Sequence, residues 1–226
     1  MLRASAAPEP PPDADGLLRT LVWLLAEGEE GIGLTQTGAL NRALVRASVE
    51  RFPAWWRMEK WGPPHREDEV SELCEVHDLA RRMRLLRKTG RTLVTTKRGR
   101  VLLRDPVARC AAVAPHLLAP DGFAGAVQEL AAAALLDGGS TVDRDEFVSR
   151  MHAAIIADGW NAAGEPPDVH DVHACAWDAI RLVEALELLT YEHEYDRETH
   201  SSRGALRVTP AGREALRLAL RARAVD

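Results

Sequence analysis

A run of basic side chains is the part of this sequence whose residue types could bind a charged ligand. Residues 79–104 contain ten lysine and arginine residues and no aspartate or glutamate. Such side chains neutralise the phosphates of a nucleic acid and release its counterions, so the affinity they give falls steeply with salt. We therefore expect this run to contact DNA. The candidate contacts are Arg81, Arg84, Lys88, Arg91, Lys97, Arg98 and Arg100.

Acidic residues close to this run argue against DNA binding, because carboxylates repel phosphates. The segment just before the run holds six of them between residues 67 and 78, and residues 168–187 of the second half are acidic as well. Residues 1–113 carry 19 basic and 15 acidic side chains, whereas residues 114–226 carry 10 and 19. A second interpretation therefore stays open, in which the basic run pairs with an acidic surface of the second half, of a protein partner or of a second copy.

Metal binding and catalysis find less support in the sequence. His170, His173 and Cys175 are spaced closely enough to share a metal, but zinc needs four ligands and only three are local. We favour a helix start near Asp168 and a core position for Cys175, and expect no metal or other cofactor. The chain lacks a nucleophile elbow, a phosphate loop and a dinucleotide fingerprint. We therefore expect a protein that is not an enzyme.

Three tryptophans lie close together at Trp55, Trp56 and Trp61. Such a cluster could form a hot spot for a partner, but tryptophans more often cover the end of a small core. Trp160 recurs at the matching place in the second half, which favours packing.

The basic residues need a scaffold, and the pattern of apolar residues predicts one. Apolar residues recur every three or four positions in residues 17–26, 38–52 and 69–88, each of which predicts a helix, ended by Gly28, Pro53 and Gly90 respectively. A loop over 54–68, a strand over 92–95 and a helix from Lys97 complete the set. Arg81, Arg84 and Lys88 would then share one face of the third helix.

The Thr-x-x-Gly motif at the end of this scaffold occurs twice in the sequence. Thr96 and Gly99 follow the first strand, and Thr209 and Gly212 follow a second apolar stretch, with Pro210 after the threonine. Each threonine is expected to cap the next helix, a proline is favourable at the first helical position, and each glycine is expected where a side chain would clash with the neighbouring strand.

The whole order of elements recurs in the second half, with helices predicted over 124–136, 145–160 and 172–189. About ten additional residues lie before the last strand, in the polar segment YEHEYDRETHSSRGA, which is expected to form a hairpin or a long loop. This repetition predicts a disordered Pro-rich leader over 1–15 and two domains, over 16–112 and 113–226.

Three helices, a strand–turn–strand and a helix that opens with Thr-x-x-Gly resemble a winged helix, a variant of the helix-turn-helix. The stretches Leu85–Gly99 and Leu188–Gly212 look like the end of the recognition helix, the wing and the next helix of multiple-antibiotic-resistance-regulator-type proteins. The first half also resembles the C-terminal part of actinobacterial plasmid open-reading-frame-3-like proteins. The second resemblance carries no function. The winged-helix resemblance implies a mainly α fold with small β-wings, and a DNA-binding transcription regulator or, alternatively, a protein-interaction adaptor.

The composition fits that expectation. The chain is rich in Ala, Leu and Arg and poor in Phe and Tyr, which favours helix over sheet. Its three cysteines are widely spaced, so we expect reduced thiols and a cytoplasmic location. No apolar run is long enough for a membrane span, and the N-terminal residues lack the apolar centre of a signal peptide.

Overall fold

The structure is a computed structural model of the chain, and it describes residues 18–56, 60, 62–119, 121–139, 141–161, 164–196 and 201–224, with the side chains of 193–196 and 201–203 excluded. The fold is mainly helical with small antiparallel sheets, as the sequence predicts. The predicted leader at 1–15 lies outside the described residues. Within them, no helix combines the length and the apolar character needed to cross a membrane.

The first half begins with a helix, a short strand and two further helices. These are α1 (Arg19–Glu30), β1 (Ile32–Gly33), α2 (Arg42–Arg51) and α3 (Ser71–Arg82). A hairpin of β2 (Leu86–Thr89) and β3 (Thr92–Thr95) follows, and α4 (Lys97–Arg104) comes after it. The segment between α2 and α3, predicted as a loop, contains 3₁₀ turns at Pro53–Trp55 and Glu67–Glu69.

A connecting helix, α5 (Pro106–Val113), and a 3₁₀ turn at Ala114–His116 join the two halves. The proposed domain boundary after residue 112 falls within α5. The elements of the second half are α6 (Phe123–Asp137), β4 (Val142–Asp143), α7 (Arg144–Ala157), α8 (Val169–Ala185), β5 (Leu189–Asp196), β6 (Ser201–Val208) and α9 (Pro210–Arg223).

The two halves share one topology. Each has a three-stranded antiparallel sheet in which the last strand lies in the middle, in the order β1-β3-β2 and β4-β6-β5. Two residues after the third helix of each half, the chain takes a left-handed backbone, at Arg84 with φ 56° and at Glu187 with φ 57°. The additional residues of the second half lengthen its hairpin, because β5 and β6 have eight residues each where β2 and β3 have four. Of the two alternatives expected there, a hairpin or a long loop, the structure has the hairpin.

The repeated Thr-x-x-Gly motif forms the capped turn that the sequence predicts. The Gly99 nitrogen donates to Thr96 Oγ1 over 3.1 Å, and the Gly212 nitrogen donates to Thr209 Oγ1 over 2.9 Å. A Cβ atom added to Gly99 would lie 2.6 Å from the oxygen of Leu85, just before β2. The glycines are therefore required because helix and hairpin approach each other too closely for a side chain.

Three predicted helix boundaries in the first half are wrong, and the helix predicted over 172–189 ends at Ala185. The first helix continues through Gly28 and ends at Glu30, before Gly31 with φ 96°. Position 28 is a glycine because an added Cβ atom would clash with Thr95 Oγ1. The second helix starts at Arg42 and not at residue 38, because the Asn41 side chain accepts a hydrogen bond from the Leu44 nitrogen and caps it. Gly90, expected to end the third helix, lies in the hairpin turn at φ 62°.

Both halves contribute to one continuous apolar core, which runs from Leu18 to Ala219. The third helices of the two halves, α3 and α8, pack against each other. Arg181 of α8 lies 3.6 Å from the Glu75 carboxylate of α3, and Arg19 of α1 forms a bidentate pair with Glu187 over 2.5 and 2.8 Å. The third helices are therefore part of an internal interface.

Candidate nucleic-acid interface

The structure places the seven candidate residues on two helices, one strand and two turns. Arg81 lies on α3, Arg84 in the turn that follows, Lys88 on the edge strand β2 and Arg91 in the hairpin turn. The other three, Lys97, Arg98 and Arg100, lie at the start of α4. All seven side chains are exposed. We call these seven exposed side chains the basic surface.

The prediction that Arg81, Arg84 and Lys88 share one face of the third helix is wrong. The helix ends at Arg82, and Arg84 has a positive φ, which a right-handed helix excludes. The chain turns there because the Leu85 nitrogen bonds back to the Ala80 oxygen and the Leu85 oxygen receives the Thr96 nitrogen. The basic side chains after residue 82 thus belong to the hairpin and to α4.

The start of α4 concentrates positive charge. Its first turn holds three basic residues and no acidic one, although the positive end of the helix dipole favours acidic residues there by about 0.3–1 kcal/mol each. Thr96 fixes this turn through its cap, and its hydroxyl also donates to the Arg84 oxygen over 3.0 Å. The turn after α3 and the start of α4 are thereby held together.

Carboxylates neutralise little of the basic surface. The Arg100 Nε lies 3.6 Å from Glu29 Oε1, and Arg91 Nη2 donates to the Leu34 oxygen over 3.5 Å. Within the part of the chain that the structure describes, no carboxylate lies within 4.0 Å of the charged groups of the other five candidates. Pairing inside the protein therefore leaves most of this charge available to a ligand.

The acidic residues before the run are less exposed to a ligand than the sequence suggests. Glu67 is almost fully buried; its Oε1 lies 2.6 Å from His77 Nδ1, and its Oε2 accepts a hydrogen bond from the Leu40 nitrogen over 2.6 Å. The Glu69 carboxylate accepts the His65 nitrogen over 2.7 Å, and this bond lowers its pKa. Both side chains hold the loop before α3 in place.

The third helix itself is poorly placed to enter a groove. Besides its acidic first half, it is covered by α8 of the other half. Burial raises the pKa of Glu75, against the opposing effect of the nearby Arg181 guanidinium. Asp78 is exposed and adds negative charge beside it. The basic surface therefore consists of the hairpin and α4, and α3 contributes only its last turn.

Sequence reasoning missed a histidine that lies beside the basic surface. His116, in the turn after α5, lies near Arg82 and Arg98, and burial followed by these two charges lowers its pKa. Arg82 is exposed and belongs to the basic run, so the sequence alone could have placed it among the candidate residues. His116 lies in the segment between the halves, where the pattern of residues predicts no contact.

The other constellations have structural roles. Asp168 Oδ1 accepts the His170 nitrogen over 2.6 Å at the start of α8, as predicted, and the His173 ring stacks on Trp177 at 5.0 Å. The described residues contain no group of three or more side chains that could hold a metal ion.

The tryptophans that the structure describes pack as predicted. Trp55 is buried with its ring centroid 4.7 Å from that of Phe52, and the rings of Trp160 and Phe123 lie 5.7 Å apart. Trp61 lies outside the described residues.

Comparison with known proteins adds a relative for the first half. Residues 16–108 match the Y4jL N-terminal domain. The chain is similar to the uncharacterized protein y4jL of Sinorhizobium fredii (strain NBRC 101917 / NGR234), with 32% identity over 105 residues, which are 41% of this chain and 43% of that protein. It thus spans less than half of that relative. No solved structure matches. The matched region contains α1 to α4 and all seven candidate residues.

Proposed function

We propose that this protein is a non-enzymatic, tandem winged-helix protein that binds DNA through its first half and acts as a transcription regulator. The observation that carries the proposal is the basic surface: seven exposed cations on the hairpin, on α4 and at the end of α3. Among the described residues, five of them have no carboxylate within 4.0 Å. A soluble ligand with regularly spaced negative charges fits this surface, and the phosphate backbone of a duplex is such a ligand.

The topology supports the winged-helix assignment. Each half runs helix, strand, helix, helix, hairpin, and its three-stranded sheet places the last strand in the middle. This is the order of a winged helix, whose hairpin forms the wing beside the recognition helix. In this assignment, the hairpin β2–β3 is the wing of the first half and α3 is its recognition helix.

The mode of binding differs from groove reading by the recognition helix. Because α3 is acidic in its first half and packs against α8, we place the contact on the wing and on α4. Contacts of this kind hold phosphates and carry little sequence information. We therefore expect binding with weak sequence preference and strong dependence on salt.

Fluorescence anisotropy with a labelled mixed-sequence duplex between 50 and 200 mM salt tests the proposal. The slope of log K against log salt should be about −0.9 for each phosphate contacted, so Lys88→Ala with Lys97→Ala should reduce its size by roughly 2. Arg150→Ala with Arg221→Ala removes two exposed cations of the second half and should leave the slope unchanged. If the duplex does not bind even at the lowest salt, the proposal is wrong.

A protein-interaction adaptor is the second candidate, and the packing of α3 against α8 favours it. That contact uses the groove-reading helices of both halves inside the protein. A cleft of about 210 Å³ lies beside it and is lined by Trp55 and Tyr191 together with Glu72 and Glu187. Unchanged elution on a heparin column for Lys88→Ala with Lys97→Ala, together with absent duplex binding, would favour the adaptor.

A further inference from the structure

A cleft of about 710 Å³ opens beside the basic surface, at the junction between the halves. Arg82 from the end of α3 and His116 from the turn after α5 form one side of it. Asp121 and Glu129, before and on α6, and Arg223 of α9 form the other side. The cleft therefore contains both basic and acidic groups, and their pairing decides which ligand it favours.

The acidic groups of the cleft are already paired. The Arg223 guanidinium bonds the Glu129 carboxylate, lies 3.5 Å from Asp121 Oδ1 and donates to the Ala119 oxygen over 3.1 Å. Arg82, in contrast, has no carboxylate within 4.0 Å among the described residues. The lining thus holds two arginines and two carboxylates, and the arginine without a carboxylate within 4.0 Å lies on the side of the cleft that adjoins the basic surface.

His116 lies close to two arginines, Arg82 of the cleft and Arg98 of α4. Burial first, and then the charges of Arg82 on α3 and Arg98 on α4, lower its pKa, so its ring is neutral near pH 7. On the other side of the cleft, the Arg223 guanidinium pairs with both Asp121 and Glu129, which leaves one negative charge there. Among the described residues, neither of these carboxylates lies within 4.0 Å of the His116 ring nitrogens. A bound anion would relieve the repulsion between the two arginines and favour the protonated imidazole, which donates from both nitrogens.

We infer that Arg82, Arg98 and His116 form a phosphate-binding site, and that it holds a backbone phosphate of the nucleic acid bound to the basic surface. The inference rests on the proposed function and adds a contact that lies outside the basic run. It also implies that one proton is taken up on binding, by His116. Affinity should then rise as the pH falls, because the protonated form of the site binds the phosphate better.

The direct test follows the ring of His116 by NMR in the full chain. Its Cε1–Hε1 signal is assigned as the one that disappears in His116→Gln, and its pKa is measured at constant salt with and without a mixed-sequence duplex. A phosphate within about 4–6 Å raises the pKa of a histidine by about one unit or more. We expect a rise of this size in the wild type, and no rise in Arg82→Gln. Arg150→Gln, an exposed site of α7, should behave as the wild type.

Duplex affinity gives the second readout. A rise of one unit in pKa corresponds to a tenfold change in the binding constant. We therefore expect the wild type to gain about tenfold more affinity than His116→Gln between pH 8 and pH 5. Far-UV circular dichroism of each variant checks that the helices are intact.

The outcomes separate this inference from the proposed function. If the duplex binds with the salt slope expected above but the pKa of His116 stays constant, the phosphate site is refuted and the proposed function stands. If the duplex does not bind, but inorganic phosphate raises the pKa of His116 in the wild type and not in Arg82→Gln, the cleft holds free phosphate and its assignment to the backbone is wrong. If neither ligand moves the pKa, the inference fails entirely.

Discussion

The substitution Gly212→Ala tests how closely the last helix approaches the hairpin. A Cβ atom at this position would lie 1.9 Å from the Leu188 oxygen and 2.8 Å from the Leu188 carbonyl carbon. That oxygen also receives hydrogen bonds from the Thr209 nitrogen over 3.1 Å and from the Thr209 hydroxyl over 3.0 Å. The clash therefore cannot be relieved without moving the start of α9 away from both bonds.

The expected loss of stability follows from three contributions. Breaking the two hydrogen bonds costs about 1 kcal/mol each, and forcing the start of α9 outward costs about 1–3 kcal/mol in disturbed packing. The better helix propensity of alanine offsets about 1 kcal/mol of this loss. Gly212→Ala should therefore reduce the free energy of unfolding by roughly 2–4 kcal/mol. For Gly99→Ala, where the closest approach is 2.6 Å, we expect about 1–2 kcal/mol by the same reasoning.

Urea denaturation followed by circular dichroism at 222 nm measures these losses from the shift in midpoint. Ala211→Gly, one position earlier in the same turn of α9, is the control that isolates helix propensity and should cost about 1 kcal/mol at most. If Gly212→Ala were as stable as the wild type or more stable, propensity alone would govern the site. The close approach of helix and hairpin would then be wrong.

Two further predictions concern titratable groups. Burial, the largest cause, and neighbouring cations lower the pKa of His116 and His173 below 6.5. Below pH 6.5, the unfolded chain therefore binds more protons at these histidines than the folded protein does. The free energy of unfolding should then fall as the pH falls from 7 to 5. Urea midpoints measured across this range should show the loss, and His116→Gln with His173→Gln should reduce it. Burial, aided by Glu67, raises the pKa of Cys74 to about 12, so its thiolate fraction should be roughly 1,000-fold below that of a thiol of pKa 9. Alkylation by iodoacetamide at pH 8, followed by peptide mass spectrometry, should be slower at Cys74 than at a cysteine in a short peptide; equal rates would contradict its burial.

Local sequence signals predict much of this fold. The capped turns at Thr96 and Thr209, the strand at 92–95 and the repeated order of elements are confirmed, because caps and apolar spacing depend on residues a few positions apart. The end of the third helix is not predicted, because apolar spacing continues past Arg82 while the chain turns at Arg84. That turn depends on hydrogen bonds of Leu85 to Ala80 on α3 and to Thr96 before α4.

The candidate site shows the same division. The sequence by itself determines the run of ten basic residues and the glycines and threonines that fix α4, since charge and capping are properties of single residues and short motifs. The tertiary structure alone decides that α3 packs against α8, that Glu67 turns inward to His77, and that His116 lies beside Arg82 and Arg98. The reason is physical: these contacts join residues far apart in the chain, and burial of one shared apolar core brings them together.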